Sequence, residues 1–147
     1  NNDRHFYNWG IIRNIQGKDK PVFSPIYDTA RGLFWNDHEE KLRAIYKDKN
    51  RLDTFIKKYS DSSSPKVGWD GFKKLSHFDL VENLKTLPFA LNCETLKNIC
   101  SDAKLIEVTN MIDKEFGQLF SIERRELIKI CLHYRHDCIK KIFNFAS

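Results

Sequence analysis

The chain has 147 residues, 41% apolar and 31% charged, with 11 Phe and 3 Trp. That is the size of one domain, and it can bury a core, rich in aromatics here, without disulfide or metal staples. No apolar run approaches the ~20 residues of a membrane-spanning helix, no stretch reads as a secretory leader, and a net charge of +5 favours anionic partners only mildly. A soluble, cytoplasmic protein without a membrane partner is the expectation.

The chain opens NNDRHFYNWG, its most polar and chemically capable stretch. Residues 9–27 then predict a β-hairpin. WGIIRNI and PVFSPIY carry the β-branched and aromatic residues that suit strands, and QGKDK between them is a turn signal. Pro21 and Pro25 confine the second strand to an edge or an irregular course. From about residue 37 the pattern turns helical. DHEEKLRAIYKDKNRLDTFIKKYSD spaces Leu42, Ile45, Tyr46, Leu52, Phe55, Ile56 and Tyr59 for one or two helices. Asp37 and Glu40 have the spacing of an N-terminal capping box.

SDSSSPKVGWDG is the clearest loop, with Gly68 and Gly71 marking a turn. Ser76 and Asp79 predict the capped start of the next helix, which Pro88 ends. Residues 93–145 read as two or three more helices. Leu105, Ile106, Val108, Met111, Ile112, Phe116 and Leu119 form one apolar stripe. Leu127, Ile128, Ile130, Cys131, Tyr134, Cys138, Ile139, Ile142 and Phe143 form another. Both are expected to be core. The fold class is therefore mainly α, a short N-terminal β-hairpin followed by a helical bundle, in a single domain spanning 1–147.

Cys93, Cys100, Cys131 and Cys138 are spaced C-x6-C twice, two helical turns apart, too far to share one tetrahedral zinc. A mixed site with His133 and His136 is conceivable by spacing, but buried, reduced thiols are the simpler expectation. Most basic residues, including the pairs Lys57-Lys58, Lys73-Lys74, Arg124-Arg125 and Lys140-Lys141, read as solvated helix faces.

The chemistry lies in residues 1–36. Asp3 and Asn8 are five apart just before the first strand, and Asp28 follows the second. A hairpin brings its two ends together, so two carboxylates and an amide oxygen can share one small space. Hard oxygen donors of this kind suit Mg²⁺, and phosphoryl transfer uses the same set. On spacing alone Asp3 and Asn8 can equally be turn residues and Asp28 a helix cap.

The longer strings carry more. NNDRHFYNWGII followed by FSPIYDTARGLF resembles the HipA-like serine/threonine kinases of bacteria, some of them toxins of toxin–antitoxin pairs. The marks are a catalytic loop written D-R-H-x-x-N-W-G and a downstream Asp in S-P-I-Y-D-T, where ordinary kinases have D-F-G. SSSPKVGWDG and HFDL also resemble segments of this group. Phosphatidylinositol kinases share D-R-H-x-x-N but continue to D-F-G, which is absent here.

The resemblance implies the C-terminal lobe of an ATP-dependent protein kinase acting on a Ser or Thr acceptor. Asp3 would be the catalytic Asp, with Arg4 and His5 as orienting members of the catalytic loop. Asn8 and Asp28 would be the Mg²⁺ ligands that hold ATP. Partners implied are a protein substrate, the nucleotide-binding N-lobe of the parent chain and a helix-turn-helix antitoxin. Only two residues precede Asp3 here, so the family's nucleotide-covering loop and phosphate-pairing Lys are not among the 147, and this piece alone is expected to be inactive. The competing expectation is a non-catalytic helical interaction module, or a pseudokinase remnant, that binds a protein or nucleic acid. Direct nucleic-acid binding is not expected, because no Lys/Arg stripe with interleaved aromatics is present.

Overall fold

Six helices and one hairpin make up the computed structural model, which describes residues 10–17, 19–24, 32–65, 68–72, 74–88 and 94–145. The hairpin pairs β1 (Ile11–Ile12) with β2 (Val22–Phe23) antiparallel, Ile11 opposite Phe23 and Ile12 opposite Val22. Its turn is built as the sequence predicts. Asn14 accepts from the Gln16 amide through its side chain, and Gly17 takes φ +68, a left-handed value that suits glycine. Among the described residues no strand follows residue 90.

The first helical stretch is two helices, α1 (Glu39–Tyr46) and α2 (Lys49–Asp61). Asp48 divides them: its backbone is extended and its carboxylate caps α2 by accepting from the Arg51 amide. The capping box expected at Asp37 is absent. Helix α1 begins one residue later, with His38 at the N-cap and no side-chain cap, and the Asp37 carboxylate instead pairs with Lys41. The box at Ser76 and Asp79 is present in both directions and opens α3 (His77–Lys85). Ser101 and Ser121 likewise cap α5 (Asp102–Phe116) and α6 (Ile122–Phe143), and the short α4 (Glu94–Ile99) precedes α5. Asn144 closes α6 in the left-handed conformation, satisfying carbonyls at its end.

Helix α6 is the spine. It packs against α1, α2, α3 and α5, so apolar and buried positions recur around it rather than along one stripe. Leu127 and Cys131 are fully buried there, with Leu42 and Ile45 of α1, Ile56 of α2, Ile112 of α5 and the loop residue Phe34. The α5 stripe behaves differently from expectation. Only Ile112 of its apolar residues is buried, whereas Ile106, Met111, Phe116 and Leu119 are exposed. Among the described elements α5 packs against α6 and α4, which leaves its other flank uncovered.

A polar cluster sits where α2, α3 and α6 meet. Arg135 of α6 donates to the Ser63 hydroxyl and stands 5.7 Å from the Tyr59 ring centre. The Ser63 carbonyl lies 3.0 Å from His77 Nδ1. Burial of the ring, and then the Arg135 charge, push the His77 pKa down to about 4. The folded state therefore holds His77 neutral while the unfolded chain protonates near pH 6.5. Stability from this group is full above pH 6.5 and is lost as the pH falls from there towards 4. The loss should be on the order of 1 kcal/mol, because the ring is partly solvated and screened. Urea midpoints at neutral pH and at about pH 4.5 should lie further apart for the parent than for His77→Asn; an equal gap in both would contradict this.

Candidate functional site

The open end of the hairpin carries both candidate segments. The Ser24 amide donates to the Gly10 carbonyl at 2.9 Å, which locks these two positions side by side. Asn8 precedes Gly10 by two residues and Asp28 follows Ser24 by four. Their chain lengths allow at most about 7 Å and about 14 Å from that end, respectively. Asp3, Arg4, His5, Asn8 and Asp28 themselves lie outside the described residues. What is described is the frame from which they hang.

Gly10 has a steric role in that frame. A Cβ there would lie 2.9 Å from the Ser24 hydroxyl oxygen and 3.2 Å from its Cβ. The glycine of the N-W-G string thus leaves room for the Ser24 side chain, and a branched side chain there would push the two segments apart.

The segment that leaves Asp28 is fixed at its other end by the helical body. Leu33 and Phe34 both take positive φ, at 30° and 62°, which is unfavourable for residues with a side chain. Burial sustains them. Phe34 is 1% exposed, its ring 4.6 Å from that of Tyr59 and 5.2 Å from that of Phe55. The Phe34 amide donates to the Tyr59 hydroxyl at 3.4 Å.

Arg124, at the start of α6, closes the arrangement. Its two terminal nitrogens donate to the carbonyls of Phe34, at 2.8 Å, and Asp37, at 2.5 Å. Its Nε pairs with the Glu39 carboxylate, which also accepts from the Ser121 hydroxyl. Partial burial raises the Glu39 pKa, but the Ser121 and Arg124 hydrogen bonds outweigh it and hold the carboxyl below its usual value. A planar fork with several donors is what such a clamp needs. The Arg124 side chain is only 11% exposed, so the Arg124-Arg125 pair is no solvated face. Sequence spacing missed Arg124 because its carbonyl partners have no sequence signature.

The cysteines behave as buried thiols. Cys100 and Cys131 are buried and Cys138 is half-buried, while Cys93 lies outside the described residues. Burial raises the Cys100 and Cys131 thiol pKa values, which makes them poor nucleophiles. His136 is buried with Nε2 2.9 Å from the Cys100 carbonyl, and His133 is exposed, so the two do not face one ligand. Among the described residues no three His, Cys, Asp or Glu side chains gather to hold a metal ion. No helix among them is long and apolar enough to cross a membrane.

No protein-family model matches the chain, and neither a curated protein nor a solved structure matches it.

Two outcomes test this frame. Arg124→Met should destabilise the fold by about 2–3 kcal/mol, since it leaves two carbonyls and a carboxylate without their donor. Arg124→Lys should recover less than half of that in urea denaturation, because a point charge cannot fork. Gly10→Val should speed hydrogen exchange at the Ser24 amide, and adding Ser24→Gly should slow it again. Unchanged exchange in Gly10→Val would rule out the close approach.

Proposed function

We propose that the chain is the catalytic-loop-bearing C-terminal lobe of a HipA-like ATP-dependent serine/threonine protein kinase. The observation that carries this is the placement of two motif strings. In the sequence D-R-H-x-x-N-W-G leads into, and S-P-I-Y-D-T leads out of, the open end of one hairpin, where the Ser24 amide donates to the Gly10 carbonyl. A helical body following the hairpin in the chain, with the 34–37 turn clamped to α6, supports the same reading.

In this reading Asp3 accepts the proton of the acceptor hydroxyl as the phosphoryl group arrives. Arg4 and His5 orient the loop that carries Asp3. Asn8 and Asp28 would hold Mg²⁺; an amide oxygen and a carboxylate are hard donors of the kind that ion prefers. Bound there, the ion would neutralise the charge of the ATP phosphates. Gly10 lets the two strands come close enough for Asn8 and Asp28 to act together. Arg124 and Phe34 limit how far the Asp28 segment can swing, which is the positioning that transfer depends on. The substrate is a protein Ser or Thr, the nucleotide is bound jointly with an N-lobe in the parent chain, and a helix-turn-helix antitoxin is the regulatory partner the family suggests.

The test is radiolabelled phosphate transfer from ATP by the protein that contains this chain. Asp3→Asn and Asp28→Asn should each lower the rate by about 10²–10⁴-fold or more while shifting stability by less than about 0.5 kcal/mol. Losing a proton acceptor or a metal ligand removes interactions made chiefly in the transition state, and neither swap opens a cavity. Transfer that survives Asp28→Asn would refute the role given to Asp28.

A further inference from the structure

A groove of about 710 Å³ runs between α1 and α2, on the outer side of the Phe34 plug. Its apolar floor is Ile45, Phe55 and Tyr59, and three cations line it: Lys41, Arg51 and Lys58. The one carboxylate in the lining, Asp37, is already engaged by Lys41. Arg51 and Lys58 have no carboxylate within ion-pairing distance among the described residues, and both are exposed. They stand seven residues apart on one face of α2, roughly 10 Å along the helix axis, with Phe55 between them.

We infer that this groove docks an acidic peptide segment, one that places an apolar side chain on Phe55 and carboxylates on Arg51 and Lys58. Charge complementarity selects the occupant: two uncompensated cations flank an apolar floor, so a ligand gains by carrying negative charge on both sides of an apolar group. An extended chain advances about 3.3 Å per residue and turns alternate side chains to one side, so carboxylates two residues before and after an apolar one, roughly 13 Å apart, face the two long cationic side chains together. A nucleic acid fits less well. Two aromatic rings line the groove and both also pack on Phe34, whereas single strands are held by a run of stacking platforms. Two or three cations are also fewer than a phosphate backbone engages. The inference rests on the groove and not on the kinase reading, and it holds whether or not the parent transfers phosphate.

Fluorescence anisotropy of the labelled heptapeptide SEEFEES with the 147-residue chain tests it. Saturable binding with a dissociation constant below about 1 mM is expected, weakening as salt is raised. Arg51→Glu with Lys58→Glu should weaken it by about tenfold or more. Lys49→Glu with Lys57→Glu changes the charge of the same helix equally but lies outside the groove lining, and should leave binding within about twofold. The peptide SEEAEES should bind more weakly than SEEFEES, and SKKFKKS not at all. Both double variants alter exposed side chains, and matching circular dichroism melts verify that they fold. Equal binding by the two double variants, equal binding of the Phe and Ala peptides, or tighter binding of a short oligothymidylate would each overturn the inference.

Discussion

Helix α6 is packed by four other helices, and the rest of the structure follows from that constraint. A helix enclosed in this way cannot keep its polar residues on one wet side. Each long polar side chain along it must find a partner or reach water between its neighbours. Arg124 finds the carbonyls of the 34–37 turn and the Glu39 carboxylate. Lys129 donates to Asp113 and Lys140 to Asp102, which tie α5 to the spine at both its ends. Arg135 reaches Ser63 and the Tyr59 ring. The apolar contacts give the packing its stability, and these directed bonds set which helix lies where.

Much of this fold was legible in the sequence, and the parts that were not share a physical cause. Signals that act within a few residues read correctly. The hairpin followed from β-branched runs around QGKDK, α3 from its Ser76 and Asp79 box, and α5 and α6 from their 3.6-residue period. The start of α1 was off by one residue, because the 34–37 turn, pinned by Arg124, decides where Asp37 sits. The α5 stripe was read as core, yet periodicity reports only that a face is apolar, not that something covers it. Arg124 was invisible for the complementary reason: a charged residue in a helix looks solvated until its backbone partners are placed in space. Of the candidate site, the motif strings were legible, and the structure adds the Ser24–Gly10 hydrogen bond between them; the site residues themselves lie outside what it describes.

That hairpin is weakly supported by its own chemistry. It has two short strands, and Ile11, Ile12, Ile15 and Val22 are more than half exposed. Two-stranded ribbons are marginal in water. The chain after it meets the helical body at Phe34, a side chain so deeply buried that it holds two residues at positive φ. Strain is tolerated where surrounding packing over-determines it, and such positions gather where a chain must be presented in one particular way.

The groove and the clamp share parts, and this makes them one mechanical unit. Asp37 gives its carbonyl to Arg124 and its carboxylate to Lys41, which lines the groove and stands 5.8 Å from the centre of the Phe55 ring. Phe55 and Tyr59 form the groove floor on one side and hold the Phe34 ring on the other. A side chain seated on Phe55 would therefore lie one packing layer from the residue that anchors the Asp28 segment. Close-packed interiors transmit displacement because they contain little free volume to absorb it. Exposed cations on α2 and the buried Phe34 before α1 are thus connected through two aromatic rings and one carboxylate, and substitutions at Phe55 belong to both sites at once.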